Sequence, residues 1–399
     1  MPGPLHGVRI LEVTNILLGP LAGQLLADMG ADVIKIEPPT GDGLRTIGAS
    51  RNTSNMAALF LTCNRNKRSL VLDLKQKTAR DVLLKLAVNS DAVIHNYRPQ
   101  AMRKLGLDYA AFKKVNPGIV YAGAHGYGRK GRYGDKGALD DAIQAASGIA
   151  ALTVPALGEP RCVPLALADQ NSALTLVYGV LGALFHRERT GQGQELEVPM
   201  FETMVHYSML LNLWGKTFEP AIGTTDYPAM TSRSRKPCAT KDGYAVVITY
   251  VDPHWETFAH KSNHPELIDD PRFKTQNLRV QNMDATYEVT AQIIAERTTQ
   301  EWVDIFKETS VPVTPVNSLD DLIDDPHLNE VGFWQMMEHP TEGNLRMAAF
   351  PVNFEETPAE IRRLAPNLGE HSAEILKEAG YSETEIAALV ETGATVNGA

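Results

Sequence analysis

Residues 7–37, GVRILEVTNILLGPLAGQLLADMGADVIKIE, decide the fold class. Val8–Val13 is a short apolar run that suits a buried strand, and Leu21–Met29 is an apolar-rich helical stretch that Gly30 ends. Asp32–Glu37 is typical of a second strand. A strand, a helix and a strand in this order make a β-α-β unit, which predicts a parallel sheet covered by helices.

The same alternation continues along the chain. Further strands are predicted at Arg68–Leu74, Ala92–His95, Ile119–Ala124 and Gln194–Val198, and further helices at Thr78–Asn89, Ala138–Leu152, Gln170–Arg187 and Met200–Trp214. The pattern predicts an α/β fold with a large Rossmann-like parallel-sheet domain over residues 1–215, to which residues 331–399 return. Residues 216–240, rich in Pro, Thr, Ser and Arg, predict a linker, and residues 241–330 predict a smaller α+β domain.

Bulk composition narrows the class of protein. The 399 residues are 43% hydrophobic and 22% charged, which is typical of a soluble globular protein. A formal net charge of −10 disfavours a surface for double-stranded nucleic acid. No apolar run approaches the roughly 18 residues of a membrane span, and no basic segment precedes an apolar stretch as in a signal peptide. We therefore expect a cytoplasmic protein that binds neither nucleic acid nor membrane.

Cysteine and histidine spacing gives no sign of a metal site. Cys63, Cys162 and Cys238 are far apart and odd in number, which indicates free thiols in a reducing compartment. His260 and His264 are four residues apart, but the glutamate of the HExxH zinc motif is missing between them. No metal is expected.

One glycine pattern invites a misleading interpretation. Gly126–Gly131 matches G-x-G-x-x-G and follows a predicted strand. A dinucleotide fingerprint needs a helix that opens at its third glycine, whereas residues 132–137 form more loop. The segment also lies outside the first β-α-β unit. A glycine-rich active-site loop is the better interpretation, and no nicotinamide cofactor is expected.

Two further features each have a structural and a functional interpretation. The basic segment 64–68, with Lys75 close behind it, is either a solvated charge run or a grip for a phosphorylated nucleotide. Asp169 lies between an apolar run and the start of the strong helix Gln170–Arg187. It is either an ordinary helix N-cap or a reactive carboxylate held by the N–H groups of the helix start.

Several short segments, separated along the chain, are informative when they are taken together and in order. They are LxGVRILE at 5–12, LADMGADVIKIE at 26–37, NKRS at 66–69, LDLK at 72–75, NYRP at 96–99, GYG at 126–128, Asp169, TGQGQ at 190–194, DPRF at 270–273 and GEH at 369–371. In these segments the chain resembles the class III CoA-transferases, the CaiB/BaiF-like relatives of formyl-CoA transferase and carnitine CoA-transferase. The resemblance covers nearly the whole chain. It implies coenzyme A, bound as an acyl-CoA substrate, and an interlocked homodimer.

The resemblance also implies roles for individual residues. Asp169 matches the catalytic aspartate. Positions that line the CoA site in the family are matched by Ile16, Leu17, Leu72, Lys75 and Asn96. Lys104 stands where some members have a phosphate-binding arginine, so the charge is kept and the forked geometry is lost, and Pro38 replaces another such arginine. The glycine-rich loop of formyl-CoA transferase has no counterpart, which leaves Arg233–Pro237 as the candidate to shield the site.

The implied reaction moves CoA from an acyl-CoA to a free carboxylic acid. Asp169 would carry first the acyl group, as a mixed anhydride, and then CoA, as a thioester, in a site that excludes water. Backbone N–H groups of Gly126–Gly128 are candidate oxyanion donors, and Asp141 is a candidate helper. Arg129, Arg132 and Arg235 favour a dicarboxylate acceptor, and succinyl-CoA is the candidate donor.

Two other functions stay open at this stage. α-Methylacyl-CoA racemases share the fold but use a histidine from a Gly-His-Asp segment, and residues 137–141 here read Gly-Ala-Leu-Asp-Asp. A CoA-binding protein without turnover is the third possibility. Transfer of CoA to a labelled acid distinguishes the transferase from both, whereas deuterium exchange in heavy water without transfer indicates the racemase.

Overall fold

The chain folds into two compact units. The computed structural model describes residues 3–396 and 398. The first unit comprises Met1–Ser147, Val163–His206 and His327–Ala399, and the second comprises Gly148–Cys162 and Tyr207–Pro326. The domain boundaries expected from the sequence stay a prediction.

A six-stranded parallel sheet forms the centre of the first unit. Its strands are β1 (Arg9–Val13), β2 (Asp32–Glu37), β3 (Lys67–Val71), β4 (Ala92–His95), β5 (Val120–His125) and β6 (Glu195–Pro199). Their order is β3-β2-β1-β4-β5-β6, and every neighbouring pair is parallel. The predicted α/β fold class is confirmed, and the order reverses beside β1, where open parallel sheets place their ligands.

Helices pack on this sheet. The helices of the first unit up to residue 190 are α1 (Leu18–Asp28), α2 (Ala58–Cys63), α3 (Lys77–Ala87), α4 (Pro99–Leu105), α5 (Tyr109–Val115), α6 (Asp140–Ala146) and α8 (Leu167–Thr190). Helix α7 (Val154–Leu157) belongs to the second unit, and α9 (Met200–Asn212) continues from the first unit into the second. One sheet face, with Leu11, Ile34 and Leu70, packs with α3, α5 and two C-terminal helices. Helices α1 and α8 pack against each other and against strands of the sheet. Successive side chains of a strand point to opposite faces of the sheet. Because helices pack against the sheet, side chains on both faces are buried.

The second unit is smaller and mixes helices with antiparallel strands. Its elements are α10 (Pro228–Thr231), β7 (Cys238–Ala239), β8 (Tyr244–Val247), α11 (Asp252–Lys261), α12 (Gln276–Gln281), α13 (Met283–Ile294), α14 (Thr299–Phe306) and β9 (Val313–Pro315). The strands pair in the order β7-β8-β9. Trp255, Phe258, Trp302 and Phe306 dominate its buried core.

The chain then returns to the first unit. Its last elements are α15 (Pro326–Glu330), β10 (Trp334–His339), β11 (Gly343–Ala348), α16 (Ser372–Glu378) and α17 (Glu383–Glu391). Short 3-10 turns lie at Gly43–Thr46, Ala150–Thr153, Trp214–Thr217, Pro265–Ile268 and Asp321–Ile323. Within the described ranges, no helix is both long and apolar enough to span a membrane.

Two differences from the sequence-based expectation concern α6 and the hairpin of β10 and β11. The helix predicted at Ala138–Leu152 is the short α6, because the chain turns at Gly148, whose φ is 84°. The antiparallel hairpin of β10 and β11 was not predicted. Most of its residues are only partly buried, so the hairpin lacks the strict apolar alternation that marks a strand in a sequence.

For the cations of the basic segment 64–68 both interpretations are wrong, whereas the role of Lys75 stays a prediction. Arg65, Lys67 and Arg68 are buried, and they pair with the carboxylates of Asp28, Glu12 and Asp32. These cations therefore neither face solvent nor remain available for a phosphate. A buried cation needs a partner, and the carboxylates that supply it come from β1, the end of α1 and the start of β2.

Candidate active site

The residues expected to line the CoA site follow the carboxyl ends of neighbouring strands. Ile16 and Leu17 come after β1, Leu72 and Lys75 after β3, and Asn96 after β4. Strands β3, β2, β1 and β4 are parallel neighbours, so these positions share one edge of the sheet. In open parallel sheets this edge, near the point where strand order reverses, is where ligands bind.

A strained turn joins β1 to α1 at this edge. Ile16 has a φ of 69°, which is unusual for a β-branched residue. The Asn96 side chain fixes the turn, since its Nδ2 donates to the Asn15 carbonyl at 2.6 Å and its Oδ1 accepts from the Asn15 N–H at 3.0 Å. Asp42 accepts the Ile16 N–H at 3.1 Å. Strain held in this way is typical of functional sites.

A buried group of charged side chains stabilises the turn at Ile16. Lys35, which is fully buried, pairs with Asp42 at 2.7 Å and with Glu12 at 3.0 Å. These carboxylates raise the pKa of Lys35 although burial opposes its charge. Asp42 uses its second oxygen for the N–H groups of Ile16 and Leu44. The position of the turn therefore depends on an ion pair inside the fold.

The other expected CoA residues differ in accessibility. Leu72 is buried in the core of the sheet, so its side chain does not face a ligand, and Leu17 packs beside the cluster that contains Leu44. Lys75 and Lys104 are exposed, and neither forms an ion pair with the described residues. Two cations are thus free to meet phosphate groups.

Helix α8 places Asp169 at the same edge of the sheet. The helix packs against β5 and β6 and leads directly into β6. A helix that precedes a parallel strand runs opposite to it, so the first turn of α8 lies at the carboxyl ends of the strands. Asp169 is the third residue of α8.

Asp140 caps this helix, and Asp169 does not. Ala166 occupies the N-cap position and makes no side-chain cap bond. Instead Oδ1 of Asp140 accepts the N–H groups of Ala168 at 2.7 Å and of Asp169 at 3.0 Å. The carboxylate of Asp169 makes no hydrogen bond with any described residue. The N-cap interpretation of Asp169 is therefore wrong, and so is the idea that the helix start holds its carboxylate.

The environment of Asp169 disfavours its negative charge. Burial, followed by the nearby charge of Asp140, raises the pKa of Asp169 to about 6. A carboxylate without hydrogen bonds, beside a second carboxylate and partly shielded from water, is more basic than an ordinary aspartate. Acylation removes its charge and so relieves both effects, which suits a carboxylate nucleophile.

Comparison with known proteins identifies the family. Residues 5–372 match the sequence profile of CoA-transferase family III. The chain belongs to this family. It is 31% identical to the succinyl-CoA:glutarate CoA-transferase of Mus musculus over 98% of this chain and 90% of the relative.

Two further relatives agree with this assignment. The succinyl-CoA:mesaconate CoA-transferase of Haloarcula hispanica is 31% identical over 95% of this chain and 97% of its own. The crystal structure of a CaiB/BaiF family protein from Brucella suis matches with a TM-score of 0.79 and 28% identity, over 95% of this chain and 100% of the other. The resemblance stated from the sequence is confirmed, and the protein is a family III CoA-transferase, an enzyme class that uses CoA thioesters as substrates.

Gln144 holds Asp140 in place in this CoA-transferase. Its side chain is fully buried, and Nε2 donates to Oδ2 of Asp140 at 2.6 Å. The same amide bonds the segment before α8, since Nε2 donates to the Leu165 carbonyl at 3.0 Å and Oε1 accepts the Val163 N–H at 2.9 Å. One buried side chain thus fixes both Asp140 and the approach to Asp169.

In the glycine-rich loop Gly126–Gly131, the Gly128 N–H and the Arg129 side chain already have partners within the protein. Gly126–Gly131 follows β5, and the next helix, α6, begins only at Asp140, as a loop interpretation requires. The N–H of Gly128 donates to Glu202 at 3.0 Å, so in this structure it is not a free oxyanion donor. Arg129 pairs with Glu195 and Glu197, which leaves its charge compensated and unavailable for an acid substrate.

Asp140 and Gln144 are the site residues that sequence reasoning missed. The sequence offered Asp141 as a helper, and that role stays a prediction, but the contact to the start of α8 comes from Asp140, one residue earlier. Asp140 and Asp169 are 29 residues apart with no periodic signal linking them, so only the folded chain reveals the pair. Among the described residues, no group of three or more His, Cys, Asp or Glu side chains could hold a metal ion.

Proposed function

We propose that this family III CoA-transferase moves CoA from an acyl-CoA donor to a small carboxylic acid through covalent intermediates on Asp169. The supporting observation is the carboxylate of Asp169, which makes no hydrogen bond with the described residues and whose pKa is raised to about 6 by burial and then by the charge of Asp140. Such a group is ionised at neutral pH, is more nucleophilic than an ordinary aspartate, and gains from losing its charge.

The first half-reaction would charge the enzyme with CoA. A carboxylate oxygen of Asp169 attacks the thioester carbonyl carbon, the C–S bond breaks, and CoA leaves as its thiolate. The thiolate then attacks the Asp169 carbonyl of the mixed anhydride, the anhydride C–O bond breaks, and the donor acid leaves as a carboxylate. An aspartyl-CoA thioester remains, so the energy of the thioester is conserved.

The second half-reaction would reverse these steps with another acid. The acceptor carboxylate attacks the aspartyl thioester, releases the CoA thiolate and forms a new anhydride. The thiolate then attacks the acceptor carbonyl, which yields the new acyl-CoA and the free carboxylate of Asp169. Water must be kept out, because either intermediate would otherwise be hydrolysed.

Asp140 and Gln144 would act as positioning residues in this scheme. Asp140 occupies the helix N–H groups that would otherwise stabilise the carboxylate of Asp169, and its own charge raises the pKa of that group. The pair therefore keeps Asp169 reactive. Gln144 fixes Asp140 through the bond to Oδ2.

The strained turn and the two exposed lysines would bind CoA. Lys75 and Lys104 are accessible cations for its phosphate groups, and Ile16 lies in the turn at the same sheet edge as Lys75 and Asn96. Leu72 would contribute backbone only, since its side chain is buried.

A dicarboxylate is the acceptor that we favour, with succinyl-CoA as donor. The mouse and Haloarcula relatives are named for glutarate and mesaconate, both dicarboxylic acids. Of the three arginines considered, Arg129 is paired, whereas Arg132 and Arg235 are exposed and form no ion pair with described residues. Assay of succinyl-CoA with a panel of mono- and dicarboxylates tests this choice, and failure of every dicarboxylate would refute it.

We also propose that the enzyme acts as a homodimer. Three large apolar side chains of α8, Leu174, Tyr178 and Phe185, are each more than half exposed. An apolar stripe of this kind along a 24-residue helix is typical of an interface. Sedimentation should give twice the chain mass for the wild type, and Tyr178→Asp should shift the protein toward the monomer.

A further inference from the structure

A cavity of about 340 Å³ lies inside the second unit. The chain around Tyr227–Cys238, strand β8 with the residues after it, and helices α12 and α13 line it. One part of the wall is apolar and includes Val246, Ile248, Val280 and Met283. The volume is that of a pocket for a small molecule and is too small for a whole CoA.

The polar part of the wall contains three phenols and three cationic side chains, those of Arg235, Lys236 and Arg279. The hydroxyls of Tyr250 and Tyr287 lie 3.2 Å apart, and Tyr227 and Arg235 also line the cavity. Arg235 is close enough to Tyr287 to interact with it electrostatically. Hydroxyl and guanidinium donors that converge in this way match the acceptor oxygens of a carboxylate.

Arg235 is the arginine of this cavity that lacks an anionic partner. It forms no ion pair with the described residues. The other arginine of the wall, Arg279, is buried and already donates to Asp252, to the Phe273 carbonyl and to the Tyr250 carbonyl. Arg279 therefore fixes the backbone of Tyr250, and Arg235 remains free to pair with a ligand.

We propose that this cavity binds a small carboxylic acid with an apolar body. The carboxylate would accept hydrogen bonds from Arg235 and from the one of the Tyr250 and Tyr287 hydroxyls that does not donate to the other, and the carbon chain would lie against Val246, Ile248 and Met283. Arg235 and Lys236, which forms no ion pair with the described residues either, are cations that attract a carboxylate, and the apolar wall favours an organic ligand over inorganic phosphate. Acid binding here does not require the chemistry proposed for Asp169; that the acid is also the one transferred rests on the proposed function.

Calorimetric titration of the full-length Asp169→Asn variant tests the proposal without turnover. The probes are glutarate, mesaconate and 4-methylpentanoate, with 4-methylpentanamide as the uncharged control. We expect at least one acid to bind with one site per chain, and 4-methylpentanamide to bind roughly tenfold more weakly than 4-methylpentanoate. Arg235→Gln should weaken acid binding at least tenfold, and Tyr287→Phe several-fold.

Two controls keep the outcome decisive. Arg272→Gln removes an arginine that is exposed, paired with Asp270 and outside the cavity wall, and it should leave acid binding unchanged. Circular dichroism checks that each variant is folded. Should no acid bind to Asp169→Asn or to the wild type, should Arg235→Gln bind as tightly as its parent, or should the amide bind as well as the acid, the proposal is overturned.

The covalent reaction on Asp169 and the acid-binding cavity can be refuted independently of each other. If Asp169→Ala abolishes transfer while Arg235→Gln leaves acid affinity unchanged, the covalent reaction stands and the acid cavity does not. If Arg235→Gln loses acid affinity while Asp169→Ala still transfers CoA, the cavity stands and the covalent reaction does not.

Discussion

The backbone N–H of Asp169 donates a hydrogen bond to Oδ1 of Asp140 at 3.0 Å. The same oxygen accepts the N–H of Ala168, so one carboxylate occupies two donors in the first turn of α8. Those donors would otherwise stabilise a negative charge on Asp169. The relationship explains how an aspartate at a helix start can remain basic.

Replacing Asp140 with Asn should move the pH dependence of the reaction. The amide keeps an oxygen for the helix N–H groups but removes the charge that helps to raise the pKa of Asp169. We expect kcat/KM for the acyl-CoA to fall below about pH 6 in the wild type, and the acid limb to lie at lower pH in Asp140→Asn. At pH 8, where Asp169 is ionised in both, the variant should be slower by up to about threefold because its nucleophile is less basic.

The matched control for this experiment is Asp135→Asn. Asp135 is an exposed aspartate of the loop before α6. Its replacement should leave the acid limb where it is in the wild type. An acid limb that stays in place in Asp140→Asn would show that the charge of Asp140 does not tune Asp169.

Replacing Asp169 with Asn should stabilise the fold at neutral pH. The pKa of Asp169 is about 6 in the folded state and near 3.8 in an unfolded chain, so the folded protein binds this proton more tightly. Its contribution to stability is present below about pH 3.8 and is lost as pH rises through about 6. We expect Asp169→Asn to raise the free energy of unfolding by about 1–3 kcal/mol at pH 7.5.

The control is the same comparison of Asp169→Asn with the wild type at low pH. At pH 3.5 the carboxyl of Asp169 is largely protonated in both states, so the variant and the wild type should unfold at nearly the same urea concentration. Equal stability at pH 7.5 would contradict the unfavourable negative charge that we assign to Asp169.

Replacing Lys35 with Met should destabilise the fold around the turn that contains Ile16. The change leaves Asp42 buried without its cation, and Asp42 is the group that holds the Ile16 N–H. Breaking a buried ion pair on one side typically costs about 3–5 kcal/mol, which urea unfolding measures. Lys77→Met is the control, because Lys77 and Asp81 form an exposed pair whose loss should change little.

Replacing Lys75 or Lys104 with Gln should weaken acyl-CoA binding without slowing the chemistry. Each lysine is exposed and unpaired among the described residues, as a phosphate contact requires. We expect KM for acyl-CoA to rise by about three- to tenfold for each variant and kcat to stay constant. The effect should shrink at high salt, whereas Lys114→Gln, on α5 and outside the expected CoA positions, should have none.

The sequence predicts the large sheet well because its strands are short apolar runs between turn residues. Strands β2 and β4 have the predicted bounds, and the expected β1, β3, β5 and β6 differ from the observed strands by a few residues at their ends. The hairpin of β10 and β11 escapes prediction because its faces are only partly buried. Local pattern works for the mostly buried strands β1–β5 and also for the less buried β6, which follows a strong helix, and it fails for the partly buried hairpin.

The site was harder to predict because its decisive contacts are distant in sequence. Asp169 stood out by its place before a helix, but the partner that defines it, Asp140, lies 29 residues away in another helix. In the segment 64–68 the sequence suggested exposed cations that the fold in fact buries. A run of cations looks solvated in a sequence, and only the fold reveals that carboxylates from β1, α1 and β2 neutralise it.

Mass analysis of the enzyme after an acid quench tests the central claim most directly. The wild type is mixed with succinyl-CoA without acceptor, quenched, digested and searched for the peptide that carries Asp169. We expect CoA attached through a thioester to Asp169, lost on adding an acceptor acid and absent in Asp169→Asn. An Asp169→Ala variant that transfers CoA at the wild-type rate, or a CoA adduct on another residue alone, would contradict the account.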